Sequence, residues 1–306
     1  MNRLLIFIPL LLFCKPTMTL AQKAPKQDSH ITVDGIERSF FVYLPSGTDP
    51  VKGGKMPLLF VLHGRLGTPS GTLKLADFRP MADRDNVILV YPAGIDKSWN
   101  DGRPSTPAYK KNIDDVAFID QLITYMIRNY TADSTRVYVT GMSNGGFMTS
   151  RLGCALSRRI AAIAVVAASV DQGTDCHPAR PVPVMYIQGT KDPLVPFDGG
   201  ELKKGAAGVI DSHQQALDRW IAIDQSDPVP RTTHMEDSAS DGTSLTRVEY
   251  TNATTGVKVV GYTVVNGGHT WPGGWPYLPK MIIGITSRNL NACEAIWDFF
   301  KQYRLP

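Results

Sequence analysis

The chain has 306 residues, 43% of them hydrophobic and 20% charged, and a formal charge of +4. That balance excludes a disordered or fibrous chain, and the length can bury a substantial core. Its lysines and arginines form no basic block, which argues against a nucleic-acid partner.

Met1-Asn2-Arg3 is a short positive start, and Leu4 to Phe13 is apolar throughout. Such a stretch is too short to span a bilayer and suits the core of a signal peptide. Thr19-Leu20-Ala21 supplies small residues before Gln22. Residues 1–21 are therefore expected to be removed, leaving a single mature domain over 22–306 that is secreted or periplasmic. Cys14 is a poor lipidation site, because Phe13 stands where a small residue is needed. No later segment is long and apolar enough to cross a membrane. Export leaves Cys154, Cys176 and Cys293 in an oxidising compartment. Three pairings are open. Cys154–Cys176 is preferred, because it joins a helix to the loop after the next strand, with Cys293 left as a buried thiol.

Ile36 to Leu44 reads as a strand ended by Pro45, and Leu58 to Leu62 as an apolar strand after Pro57. A helix is predicted over Leu73 to Asp85, then a strand over Val87 to Tyr91 and a long loop over 92–111. Val116, Ile119, Ile123 and Ile127 mark one face of a helix from Asp114 to Tyr130. The run Arg136 to Thr140 is a buried strand. Ile160 to Ala168 and Val182 to Ile187 are two more, Ile210 to Ile223 is a helix, and Thr246 to Tyr250 and Val257 to Val265 are late strands. A helix from about Asn289 to Tyr303 closes the chain. Strands buried on both faces and alternating with helices imply an α/β fold, with a mostly parallel central sheet and helices on both sides.

The chemistry centres on Gly141-Met142-Ser143-Asn144-Gly145, set between a strand and a helix, the form of a nucleophile elbow. A serine hydroxyl needs a base, and the base an orienting acid. Both should stand just after strands. Asp192 follows the strand 182–187, and His269 follows 257–265. The order Ser143, Asp192, His269 is that of an α/β-hydrolase triad. Asp171 and Asp198 are rival acids, while Asp114 and Asp115 are explained by helix capping. His30, His177, His213 and His234 are weaker candidates for the base. The amide of Asn144 is one expected oxyanion donor. The second should come from Arg65 or Leu66 after His63-Gly64, and Arg65 is preferred; His63 is expected to hold this loop. The loops Ser98 to Arg103 and Trp271 to Tyr277 could shape a pocket, with Trp99 and Trp271 as candidate substrate-binding residues. No metal-ligand motif, phosphate loop or cofactor signature is present.

At this point the chain resembles the secreted α/β-hydrolases grouped with polyhydroxybutyrate depolymerases and feruloyl or acetylxylan esterases. The carrying residues are Leu62-His63-Gly64, Trp99-Asn100, Asn112 with Asp114 to Ile119, Gly141 to Gly146, Gly189-Thr190-Lys191-Asp192-Pro193 and Gly267 to Gly274. The resemblance runs from about Ile36 to Phe300. It implies a serine esterase without a cofactor, acting on a polyester or on acyl or feruloyl esters of plant polysaccharide, with Ser143, Asp192 and His269 as the triad and His63-Gly64-Arg65 as the oxyanion loop. Such relatives often carry a cysteine after the His-Gly pair, bonded to one in the Trp-Asn loop. Here Arg65 takes that place, which removes a brace and adds a positive charge. A serine peptidase of the same fold and a non-catalytic polymer-binding protein are the alternatives.

Overall fold

The computed structural model describes residues 26–48, 54–202, 207–235 and 237–306; the expected signal peptide and Cys14 lie outside them. Ten strands form one sheet. In chain order they are β1 (Lys26–Val33), β2 (Ile36–Tyr43), β3 (Met56–Leu62), β4 (Ile88–Pro92), β5 (Ala132–Met142), β6 (Ala162–Val166), β7 (Val184–Gly189), β8 (Arg231–Met235), β9 (Ser244–Thr251) and β10 (Lys258–Val265). Their spatial order is β1-β2-β4-β3-β5-β6-β7-β10-β9-β8. The stretch from β4 to β10 is parallel, and the outer pairs on both flanks are antiparallel.

The residues of β3 and β6 are buried throughout, as the unbroken apolar runs require. Alternate residues feed two cores. Leu58, Phe60 and Leu62 pack with α3 (Asp115–Asn129), α4 (Asn144–Ala155) and α5 (His213–Asp224). Leu59 and Val61 pack on the opposite face with α1 (Pro69–Leu75), α2 (Arg79–Asp85) and α6 (Ala292–Phe300). The period of two along each strand thus decides which helix layer a side chain meets.

Two readings of the chain need correction. The single helix predicted over Leu73 to Asp85 is two short ones, α1 and α2. Pro80 explains the restart: it cannot donate a backbone hydrogen bond and fits only the first turn of a new helix. The first predicted strand begins at Ile36, but β1 precedes it, and there His30 pairs with Ser39 inside the β1–β2 hairpin.

Cys154 and Cys176 form the preferred disulfide, with Cα atoms 5.2 Å apart, and Cys293 is a buried free thiol. The bond ties the end of α4 to the loop after β6. No helix among the described residues is long and apolar enough to cross a membrane.

Candidate active site

The parallel strands deliver their carboxyl ends to one edge, and the turns there carry the candidate groups. At the end of β5 the chain reverses sharply into α4. Ser143 takes φ 57° and ψ −124°, a strained conformation for a residue with a side chain. The reversal works because its neighbours lack side chains. A Cβ on Gly141 would stand 2.5 Å from the carbonyl oxygen of Gly145, and one on Gly145 would stand 2.5 Å from those of Leu62 and His63. Ser143 is half-buried at the floor of a cleft of about 400 Å³.

Asp192 and His269 come together from the turns after β7 and β10. Nδ1–H of His269 donates to Asp192 Oδ2 at 2.7 Å, and both residues are buried. The other carboxylate oxygen is fully engaged, accepting from the amides of Leu194 and Val195 at 2.8 Å each. The main chain that carries it is held as well: the backbone N–H of His269 donates to Ile283 O at 2.6 Å, and that of Gly268 to Ile285 O at 2.9 Å. His269 lines the same cleft as Ser143. The rival acid Asp171 instead accepts from Gly173 N–H and pairs with Ile210 through the backbone.

Asn144 opens α4, so its N–H has no carbonyl one turn back to bind. Gly64 and Arg65 line the same cleft. Leu66 N–H donates to Lys97 O at 2.8 Å, which removes the Leu66 alternative as an oxyanion donor. His63 fixes this loop. Its Nδ1–H donates to Gly64 O at 2.7 Å, and its Nε2 accepts from Gly94 N–H at 2.9 Å. That pattern needs a neutral ring, and burial lowers its pKa to about 4.

The two tryptophans do not line the cleft. Trp99 is fully buried; its Nε1–H donates to His63 O at 2.8 Å and its ring lies 4.8 Å from that of His63. Trp271 is also buried and meets Phe78 edge-on. Their indoles are too large and too well packed to turn outward, so both brace the loops that hold the site. The cleft walls come from Leu66, Leu75, Phe147, Leu194, Tyr277 and Leu278, with Arg103 among them. Thus the Trp271–Tyr277 loop does contribute, through Tyr277, whose hydroxyl donates to His269 O at 3.3 Å.

The Trp99 loop is not slack for want of a cysteine pair. Asn144 grips it with its whole amide: Oδ1 accepts from Trp99 N–H at 2.8 Å, and Nδ2 donates to Trp99 O at 3.1 Å and to Asp101 Oδ2 at 2.6 Å. Asn100 N–H donates to Asp115 Oδ2 at 2.7 Å, and the other oxygen of Asp115 binds buried Arg38 on β2. Asp115 is thus more than the helix cap its position suggested; Asp114 is the cap, accepting from Ala117 N–H. Its burial could not be foreseen without the β2 neighbour.

The order of strands and the elbow define an α/β-hydrolase fold. No protein-family model matches the chain. The acetyl xylan esterase of Aspergillus awamori superposes with a TM-score of 0.57 at 14% identity, over 90% of this chain and 99% of that one. In sequence the chain is similar to a putative esterase, NocK, of Nocardia uniformis subsp. tsuyamanensis, at 29% identity over 88% of this chain and 80% of that protein. It is also similar to feruloyl esterase B of Piromyces equi, at 27% over 88% of this chain, but it spans only 46% of that longer protein. The chain therefore has the α/β-hydrolase fold, and the relatives it resembles in sequence are named as esterases.

Proposed function

We propose that the protein is an exported serine esterase that cleaves carboxylic esters through an acyl-enzyme. The observation that carries the reading is a strained elbow serine facing one cleft with a histidine whose Nδ1–H is held by a buried carboxylate. With Nδ1 protonated, the free Nε2 can accept a proton. His269 takes the Ser143 proton as the oxygen attacks the ester carbonyl. Asp192 keeps the ring in that tautomer and stabilises the imidazolium. The amides of Asn144 and Arg65 bind the oxyanion, a contribution of roughly 3–4 kcal/mol per donor in a comparable hydrolase. The alcohol leaves with the proton from His269, and water, activated by the same base, releases the acid.

The esterase names of the Nocardia and Piromyces relatives support ester over amide chemistry. An acyl or feruloyl ester, or a polyester, would enter the largely apolar cleft, and export fits the disulfide and the amino-terminal leader pattern. The test is Ser143→Ala on short aryl esters, with a fluorophosphonate probe. We expect turnover to fall by at least about a thousandfold, labelling to vanish and the melting temperature to hold. Near-normal turnover in that variant would reject the assignment.

A further inference from the structure

The charges around the cleft are distributed unevenly. Among the described residues Arg65 and Arg103 line it, and no aspartate or glutamate does. Arg65 is exposed at the mouth. Arg103 is only 5% exposed and is fixed on two sides. Its Nε and Nη2 both donate to Asp101 Oδ2, and its guanidinium carbon stands 3.6 Å from the centre of the Phe147 ring. Phe147 lies one helical turn beyond the elbow, its N–H donating to Ser143 O at 2.9 Å. Arg103 is therefore held beside the candidate nucleophile with little freedom to swing.

A guanidinium offers five N–H donors and no acceptor. Asp101 engages Nε and Nη2, and Nη1 has no partner among the described residues. The negative partners lie behind the wall: Asp101 bonds Asn144 and Arg103 without lining the cleft, and Asp192 sits beneath His269. Two cationic side chains thus line the cleft, while the carboxylates nearest to them, Asp101 and Asp171 beside Arg103 and Asp192 beneath His269, do not. A neutral ester can offer Nη1 only a carbonyl oxygen, whereas a carboxylate accepts with its full charge and makes the stronger, shorter bond.

We propose that Arg103, assisted by Arg65, selects esters that carry a free carboxylate near the scissile bond. This rests on the esterase reading above. A carboxylate matches the planar guanidinium in both charge and geometry, which a lysine could not reproduce. Arg103 supplies the short-range hydrogen bond, and exposed Arg65 draws the anion toward the mouth.

Two substrate pairs test the proposal, one for each side of the ester. They are 4-nitrophenyl hemiglutarate against its neutral methyl diester, and 4-acetoxybenzoate against its methyl ester. In at least one pair kcat/KM should favour the anion by about tenfold or more, as a charge-assisted hydrogen bond predicts. The advantage should shrink as salt rises. Arg103→Gln should bring the anionic-to-neutral ratio close to one, and Arg65→Gln should lower it less. If Arg103→Gln does not fold, Arg103→Lys serves, because it keeps the charge but loses the fork; its ratio should still drop several-fold. Equal or poorer hydrolysis of the anion in both pairs by the wild type overturns the proposal. So does a ratio that neither Arg103 variant moves. Hydrolysis of none of the four esters, together with no fluorophosphonate labelling, would instead sink the esterase reading and this inference with it.

Discussion

Asp192→Asn should disable the site through the wrong tautomer, not through a broken fold. Two backbone amides, those of Leu194 and Val195, point at Asp192 Oδ1. An asparagine must place its only oxygen there, because its NH2 group would face two donors. The NH2 then faces His269 Nδ1 in place of the oxygen that accepts at 2.7 Å. To avoid a donor–donor clash the ring must move its proton to Nε2, where it can no longer accept one from Ser143. The same change in an unrelated serine protease lowers turnover about ten thousandfold, which corresponds to roughly 5 kcal/mol of transition-state stabilisation. The variant keeps both amide bonds and the same shape, so its melting temperature should stay within a few degrees of wild type. The assay is steady-state hydrolysis of 4-nitrophenyl acetate alongside the rate of fluorophosphonate labelling. Both should drop together. A variant within tenfold of wild type would show that the carboxylate does not set the tautomer, and the proposed relay would have to be abandoned.

Asp115→Ala would strand Arg38, which is 2% exposed, and free the Asn100 amide. Loss of one partner of a buried pair costs about 3–5 kcal/mol, so urea unfolding should shift by that amount, with less loss when Arg38 is also changed to Met. His213 is wholly buried with neither ring nitrogen bonded, and desolvation lowers its pKa from 6.5 to about 4. The unfolded chain takes up this proton first, so stability should be lost as pH falls from about 6.5 to about 4. Over that window His213→Leu should lose about 3 kcal/mol less than wild type; equal losses would contradict the assignment. Reduction of the Cys154–Cys176 bond, which spans 22 residues, should lower stability by about 3 kcal/mol, measurable by calorimetry with and without reductant.

The mostly parallel central sheet was legible because its strands are continuous apolar runs, while the order of those strands was not read from the sequence. The candidate triad groups were legible because each stands directly after such a run. The flanks were not. Every residue of β8 is exposed, so its pattern carries no burial signal, and only its backbone pairing to β9 makes it a strand. Trp99 and Trp271 were misread for a physical reason. Composition cannot tell an indole that stacks on a ligand from one whose N–H is spent on a carbonyl such as that of His63. Arg103 lies in a loop expected to shape the pocket, but Leu194 and Leu278 escaped notice as wall residues because a cleft is built from distant loops, and no local spacing records which side chains turn inward.

Asn144 performs two jobs with separate parts of one residue. Its main-chain N–H is the proposed oxyanion donor, while its carboxamide fastens the Trp99–Asp101 segment. Any replacement therefore changes the entrance and the chemistry together, and activity at this position cannot be tuned independently of shape. Attempts to redirect the enzyme by directed evolution should leave residue 144 untouched and draw variation from Leu66, Leu194 and Leu278, which touch the cleft without supporting the elbow.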